Sequence, residues 1–246
     1  MATGWQSPAG PGRRLGQRSA YRWLPPQVPG RINPRWCSLA RTLLGEENSR
    51  PRHIASRGRN WRMTLIFLIQ HGESEPGPGD PGLTDAGRRQ AGRIAQWLYG
   101  CGLNAVYSSP LLRAVETAEH IAAAAGLRLQ QDVRLRERVN WDGSQTFEQF
   151  LAEWDRSVLD RDFAPARGDS SRRAAARLRA FLLDLAAEPG PVAAVTHGGV
   201  TADLLRTLAG DGGLPPGLLE KGVPPGAITT FRNLDVVEIA SVAHLA

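Results

Sequence analysis

Two short apolar segments of this 246-residue chain each end in a histidine followed by a glycine. Residues 65–69 lead into Gln70-His71-Gly72, and residues 192–196 lead into His197-Gly198-Gly199. Neither segment alternates apolar with polar residues, which is typical of a strand buried on both faces of a sheet. Ligands bind at the carboxyl ends of the strands in open α/β sheets. The pattern therefore predicts that both imidazoles face the same crevice.

Long amphipathic segments separate short apolar runs from Thr64 onward, which predicts an α/β domain over residues 63–246. Thr84 is placed to cap a helix that runs to about Tyr99, and Gly126 is placed to close a helix over about 111–125. We expect a three-layer α/β/α sandwich with a mostly parallel central sheet. A small helical cap insertion over about 138–190 and a hairpin around 232–235 complete the prediction.

The first 62 residues differ sharply from the rest. They hold 12 Arg and two acidic residues (12 − 2 = +10), whereas the remaining 184 residues hold 18 basic and 22 acidic residues (18 − 22 = −4). The net charge of +6 therefore describes neither part of the chain. Seven Gly and seven Pro, with no sustained helix or strand period, predict no packed domain in residues 1–62.

Three interpretations of residues 1–62 remain open. The favoured one is an extension without independent function, with Met63 as the true start of the domain. The second is an Arg-rich, acid-poor targeting segment. The third is a nucleic-acid-binding arm, in which arginines are interleaved with Trp5, Trp23, Trp36 and Trp61. Because the domain itself is mildly acidic, nucleic acid is not its expected partner.

Cysteine usage and hydropathy favour a reducing compartment. Cys37 and Cys101 are too few and too far apart to indicate a disulfide framework or a metal site. The longest apolar runs fall far short of the ~20 residues that cross a bilayer, and residues 1–30 lack the apolar core of a secretory signal. We expect a cytoplasmic protein without a membrane partner, and a homodimer is one assembly left open.

Five motifs follow one another along residues 63–246. They are Gln70-His71-Gly72-Glu73-Ser74, Leu83-Thr84-Asp85-Ala86-Gly87, the stretch from Ser108-Ser109-Pro110 through Arg113 to Ala118, Leu135-Arg136-Glu137, and Thr196-His197-Gly198-Gly199. In this order they resemble the histidine phosphatase superfamily, which includes the phosphoglycerate mutase-like enzymes. Any one motif is a weak signal, whereas five in register are a strong one.

The resemblance implies hydrolysis of a small phosphomonoester through a phosphohistidine. His71 would be the nucleophile, with its other ring nitrogen held by a backbone carbonyl. Arg113 and His197, the latter protonated or as an N–H donor, would bind and stabilise the transferring phosphoryl group. Glu137 would protonate the leaving oxygen and then activate water, with Asp142 as the substitute acid.

Gln70 and Ser74 are further candidates for binding the phosphate, and no metal or other cofactor is expected because histidines and arginine neutralise its charge. Each role has a plainer alternative. Arg113 could form a surface ion pair with Glu116 or Glu119. The role of Ser74 could be limited to forming the turn. Glu137 could belong to the solvated charge run 134–138.

Two positions depart from the family pattern. Gln70 stands where the family nearly always has arginine, and Gly77 stands where many relatives place an asparagine against the phosphate. Glutamine lacks the charge and the bidentate fork, and a hydrogen bond to a charged group contributes ~1.5–3 kcal/mol against ~1 for a neutral pair. Either catalysis is slower, or another arginine compensates, such as Arg138 or one from residues 167–179.

Three functional hypotheses follow. The favoured one is a phosphatase. The second is a catalytically weakened phosphate-binding or regulatory relative. The third is a phosphoglycerate mutase-like phosphotransferase, for which the insertion looks too short and, in its first half, too acidic.

The insertion also carries five aromatic residues. They predict either a lid with an apolar wall, which would suit a substrate with a hydrophobic or ring-containing part, or simple packing of the cap. These residues are Trp141, Phe147, Phe150, Trp154 and Phe163.

Overall fold

The computed structural model describes residues 64–186, 188 and 190–246, so the predicted extension over 1–62 and Met63 lie outside the described residues. The described strands are β1 (Leu65–Gln70), β2 (Ala105–Ser108), β3 (Leu129–Gln131), β4 (Val192–Thr196), β5 (Ile228–Arg232) and β6 (Asp235–Ser241). They form one sheet in the order β3-β2-β4-β1-β5-β6. The first four strands of that order are parallel, whereas β5 is antiparallel to β1 and β6. The predicted mostly parallel sheet is confirmed.

The described helices are α1 (Asp85–Leu98), α2 (Leu112–Ala125), α3 (Phe147–Leu159), α4 (Ser171–Leu185), α5 (Gly198–Ala209) and the short α6 (Leu218–Lys221). Thr84 caps α1 by accepting the Gly87 N–H, and Gly126 closes α2 at a φ of 67°. Both predicted caps are confirmed. None of the described helices is long and apolar enough to span a bilayer.

The uninterrupted apolar sequence of β1 is explained by its two buried faces. Successive side chains of a strand point to opposite sides of the sheet. Phe67 and Ile69 therefore pack in the core formed with α1 and α2, whereas Ile66 and Leu68 pack in the core formed with α4 and α5. The three-layer sandwich is confirmed, and the apolar sequence of the strand follows from its central position.

Helix α3 stands apart from these layers. A single antiparallel bridge between Val139 and Gly168 joins the two ends of the segment that carries it. Helix α4 also lies inside the predicted 138–190 insertion, but its Leu178 and Phe181 belong to the core under the sheet. The part that projects is thus centred on α3, which begins with a capping box between Thr146 and Gln149.

Candidate active site

His71 and His197 lie side by side because their strands do. Strands β1 and β4 are parallel neighbours with Gln70 opposite Thr196, so each histidine is the first residue after the same edge of the sheet. The ring centroids are 5.1 Å apart, with an interplanar angle of 62°. The expectation that both imidazoles face one crevice is therefore met by the geometry.

The tautomer of His71 is set by the turn that follows β1. Its Nδ1–H donates to the carbonyl oxygen of Gly72 at 2.7 Å, which leaves the lone pair on Nε2. Burial, reinforced by the charge of Arg113, lowers the pKa of His71 from 6.5 to about 4, and the Gly72 carbonyl opposes this shift. The imidazole is therefore neutral at pH 7 and carries its lone pair on Nε2, as a nucleophile requires.

A glycine is required directly after this histidine. A Cβ on Gly72 would lie 2.6 Å from the carbonyl oxygen of Gly87, a backbone atom that cannot give way. The Gly72 N–H donates to the hydroxyl of Thr117, which in turn donates to the carbonyl oxygen of Arg113. The turn and the first part of α2 are thereby joined.

Arg113 contacts His71 directly. Its Nε–H donates to Nε2 of His71 at 3.1 Å, its Nη2 donates to Oδ1 of Asn140 at 3.0 Å, and its Nη1 lies 3.8 Å from Oδ1 of Asp80. Burial lowers the pKa of the guanidinium, while the charges of Glu137 and Asp80 oppose that shift. The side chain is buried in the crevice.

The alternative surface ion pair of Arg113 is not what the structure shows. Glu116 instead accepts the Leu83 N–H at 2.6 Å. The guanidinium of Arg113 is directed at His71, so its planar fork borders the reacting nitrogen.

His197 is fully buried, and Nε2 is its ring nitrogen with a described hydrogen-bond partner. Its Nε2 lies 2.8 Å from the hydroxyl of Ser109, whose oxygen already accepts the Leu111 N–H. We assign the hydroxyl as the donor to Nε2, which places the proton of the neutral ring on Nδ1. Burial, followed by His71 and Arg113, holds the pKa of His197 well below its usual value. Of the two predicted forms, the geometry favours the neutral N–H donor.

One buried donor on His197 remains unused. Nδ1 has no hydrogen-bond partner within the described residues, and neither has the buried Oε1 of Gln70. Buried polar atoms are nearly always paired with protein groups, ordered water or a bound group. An N–H donor beside the lone pair of His71 suits a phosphoryl oxygen.

Glu137 is held by the first turn of α5. Its Oε1 accepts the N–H groups of Arg138 and Val200 at 2.6 and 2.8 Å, and its Oε2 accepts the Gly199 N–H at 2.9 Å. The carboxylate therefore stabilises the amino end of this helix, besides the acid role expected for it. Sequence inspection did not reveal this capping contact, because the two partners are more than sixty residues apart.

The charge run 134–138 is not a solvated face. Arg134 pairs with Asp132 and Asp184, and Arg136 pairs with Asp169. Arg138 is 2% exposed and pairs with the equally buried Asp203 at 2.8 Å. Burial raises the pKa of Asp203 to about 6, an effect that Arg138 opposes.

Arg138 is bound to Asp203, so the expectation that it replaces the charge missing at Gln70 is wrong. Among the arginines of 167–179, Arg167 pairs with Asp142, Arg172 with Asp162 and Arg173 with Asp169. Arg177 also pairs with Asp169, but its Nη2 donates to the Glu137 carbonyl oxygen at 2.9 Å. Its charge contributes to the lowered pKa of His197, so Arg177 brings positive charge towards the site.

Gln70 itself lies at the site. Its Nε2 is 3.3 Å from Nε2 of His71, so the amide group borders the nucleophile without supplying a charge. Ser74 lies at the base of the following loop, where its backbone pairs with Leu83. Asp142, the substitute acid, accepts two hydrogen bonds from Ser144 besides its pair with Arg167.

Two further residues of the site lie outside the five sequence motifs. Asp80 accepts the Leu112 N–H at 2.8 Å and so caps α2, where Leu111 offers no side-chain cap. Asn140, which accepts from Arg113, also donates to the carbonyl oxygen of Gly79. The only sequence signal was the lack of a capping side chain before α2, which required an acceptor from elsewhere.

Four of the five predicted aromatic residues form one group. The rings of Trp141, Phe147, Phe150 and Trp154 follow one another with centroids 5.0–6.4 Å apart. Phe163 instead lies under the guanidinium of Arg156, at 4.0 Å. Within the described residues no group of three or more His, Cys, Asp or Glu side chains is placed to hold a metal ion.

Comparison with known proteins gives this geometry a context. A family model described as the histidine phosphatase superfamily (branch 1) matches residues 66–231. A protein of Yersinia enterocolitica named probable phosphoglycerate mutase GpmB is 34% identical over 171 residues, which cover 63% of this chain and 77% of that protein.

Two solved structures of phosphatases are similar over 90% or more of their length. The mycobacterial glucosyl-3-phosphoglycerate phosphatase has 29% identity and a TM-score of 0.57, over 69% of this chain and 90% of that one. The phosphoserine phosphatase of Entamoeba histolytica, solved with 3-phosphoglyceric acid, has 26% identity and a TM-score of 0.57, over 75% of this chain and all (100%) of that one.

Proposed function

Because this chain belongs to the histidine phosphatase superfamily, we propose that it hydrolyses a small phosphomonoester through a phosphohistidine formed on His71. One observation carries the proposal: the lone pair of a neutral His71 lies beside the guanidinium of Arg113 and near the unpaired, buried N–H of His197. A nucleophile and two donors for phosphoryl oxygens thus converge on one point.

The first step forms a bond between Nε2 of His71 and phosphorus and breaks the bond between phosphorus and the leaving oxygen. Glu137, as the neutral acid, gives its proton to that oxygen. The positive charge of Arg113 and the Nδ1–H of His197 stabilise the charge on the equatorial oxygens. The Nδ1–H of His71 continues to donate to the Gly72 carbonyl oxygen, and this hydrogen bond stabilises the positive charge that the ring acquires.

The second step hydrolyses the phosphohistidine. The ionised Glu137 takes a proton from water, the water oxygen bonds to phosphorus, and the bond from phosphorus to Nε2 breaks with its electrons returning to His71. Inorganic phosphate leaves and the neutral acid is regenerated.

The test compares purified protein with the His71→Ala variant on a generic aryl phosphate. The wild type is expected to release inorganic phosphate and to yield a phosphorylated His71 peptide in mass spectrometry after a rapid quench, and His71→Ala to do neither. Wild-type turnover no greater than that of His71→Ala would overturn the proposal.

One observation favours a second candidate, a phosphate-binding relative with little turnover. Gln70 supplies no charge, while Asp80 and Glu137 both act on Arg113. For this candidate, isothermal titration would detect phosphate binding that depends on Arg113, without measurable hydrolysis. The third candidate is a mutase, as the name of the Yersinia protein suggests for that protein. It predicts isomerisation of a phosphoglycerate without release of phosphate. Phosphorus NMR distinguishes the isomerised product from free phosphate.

A further inference from the structure

The four aromatic rings around α3 form a continuous row. The centroid distances are 5.0 Å from Trp141 to Phe147, 6.2 Å from Phe147 to Phe150 and 6.1 Å from Phe150 to Trp154. The row belongs to neither core of the sheet: Phe147 is 52% exposed and the other three rings are partly buried. Aromatic side chains that lie beside a few polar groups are the usual lining of a ligand site.

One end of the row borders the proposed acid. A Cβ on Gly199 would lie 2.5 Å from the Trp154 ring and 2.6 Å from Oε1 of Glu137. The ring and the carboxylate therefore both lie against Gly199, and only the hydrogen side chain of glycine fits at this position. The leaving group of a substrate must lie next to the acid, so it also lies next to Trp154.

The other end of the row borders the phosphate-binding arginine. The carbonyl oxygen of Trp141 accepts the Gly79 N–H at 2.8 Å, and the preceding Asn140 accepts from Arg113 at 3.0 Å. The row is thus attached to the site at both ends, on the leaving-group side at Trp154 and on the phosphate side at Trp141.

The terminal rings are fixed before any substrate binds. The guanidinium carbon of Arg138 lies 4.2 Å from the centroid of the Trp154 ring, and the Trp141 indole N–H donates to the Gln145 carbonyl at 2.9 Å. Preorganised rings lose little conformational entropy when a ligand binds. Arg138, which is paired with Asp203, therefore supports the Trp154 end of the aromatic row.

On the basis of the proposed phosphatase activity, we propose that the aromatic row is a leaving-group subsite, and that the substrate is a phosphomonoester whose alcohol carries an uncharged aromatic ring. Offset and edge-on contacts between rings favour an aromatic group over an aliphatic one of similar size. The negative charges of Glu148 and Glu153 on α3 disfavour an anionic leaving group.

The test uses two substrates that are both esters of primary alcohols, benzyl phosphate and propyl phosphate. We expect the wild type to prefer benzyl phosphate, and Phe150→Leu and Phe147→Leu to lower kcat/KM for benzyl phosphate about tenfold while changing that for propyl phosphate less than about twofold. Leucine keeps an apolar side chain at each position and removes only the ring. Leu159→Ala, on the same helix at an 87% exposed position outside the row, is the matched control and should change neither value.

Equal losses on both substrates, or no preference of the wild type for benzyl phosphate, would overturn the subsite. Far-ultraviolet circular dichroism and the melting temperature of each variant show whether α3 has been kept. Because Phe147 is half-exposed, its variant should fold even where Phe150→Leu does not. Failure of the wild type to hydrolyse either ester or an aryl phosphate would contradict the proposed function itself, so the two failures are distinguishable.

Discussion

Nη1 of Arg113 lies 3.8 Å from Oδ1 of Asp80, so the arginine that we assign to phosphate faces a carboxylate before any substrate binds. The same Oδ1 caps helix α2 through the Leu112 N–H. Asp80 therefore combines a structural contact, which needs only an acceptor oxygen, with a negative charge that opposes an incoming phosphate.

Asp80→Asn separates these two effects. Asparagine retains Oδ1 as the cap acceptor and removes the charge. Because Asp80 is 45% exposed, we expect the KM for a phosphomonoester and the inhibition constant of inorganic phosphate to fall about two- to fivefold, in line with the ~1 kcal/mol upper range of exposed charge pairs. Steady-state kinetics at low ionic strength measure both constants.

Asp85→Asn is the control, since Asp85 is an exposed carboxylate that pairs with Arg88 on α1. It should leave both constants unchanged. A rise in KM for Asp80→Asn would show that the carboxylate aids binding rather than competing with phosphate.

Gln70→Arg tests the missing charge. Gln70 already borders Nε2 of His71, and Arg138, which could have replaced the missing charge, is paired with Asp203. A charged donor should raise kcat/KM about tenfold or more, since a hydrogen bond to a charged group contributes ~1.5–3 kcal/mol against ~1 for a neutral pair. Gln70→Met, which removes the amide at similar length, should lower it. A decrease for Gln70→Arg with unchanged melting temperature would indicate a site retuned for its own substrate.

Ser109→Ala tests the tautomer of His197. Without the hydroxyl, Nε2 of His197 loses its partner at 2.8 Å, and the proton is no longer directed to Nδ1. We expect kcat to fall about tenfold and the nitrogen-15 shifts of the ring to show a tautomer mixture. Ser108→Ala is a matched control, because Ser108 is equally buried and its hydroxyl has no partner within the described residues. The tautomer assignment fails if Ser109→Ala changes kcat without changing the ring shifts.

Glu137→Gln should affect substrates unequally. The variant cannot give a proton, so turnover of an alkyl phosphate should fall by about 10²–10⁴, whereas a nitrophenyl phosphate, whose phenolate leaves unaided, should lose much less. The amide also replaces one acceptor of the cap at α5, which should lower the free energy of unfolding by about 1 kcal/mol. Equal losses on both esters would argue against the acid role, and Asp142→Asn should change neither rate.

Part of the pH dependence of stability follows from His71, and the lowered pKa of His197 adds a contribution of the same sign. The pKa of His71 is about 4 in the folded state and 6.5 as the ordinary value, so between these the unfolded chain binds a proton that the folded chain does not. The free energy of unfolding should therefore fall as the pH falls from 6.5 towards 4, by up to about 3 kcal/mol. Urea unfolding at pH 7, 5.5 and 4.5 measures this fall. The free energy of unfolding of His71→Asn should fall less steeply with decreasing pH than that of the wild type. Equal slopes for the two proteins would contradict a lowered pKa of His71.

Much of this architecture could be predicted from local sequence. The uninterrupted apolar runs of β1 and β4 require burial on both faces, and the glycines after His71 and His197 end the strands at the same edge. Thr84 and Gly126 determined the ends of two helices through contacts within a few residues. Such features depend on neighbours along the chain, and the printed residues are enough to deduce them.

The partners of the site could not be deduced in this way. Whether Arg138 faces the phosphate or Asp203, and whether Arg113 meets Glu116 or Asp80, depends on side chains up to 65 residues apart that only the packed layers bring together. The sequence alone determined that two histidines follow buried strands at one sheet edge, whereas Arg113 and Glu137 were placed there only by the family resemblance. Only the tertiary structure decided which charges remain free there, because each ion pair forms between elements whose relative positions are set by burial of the cores.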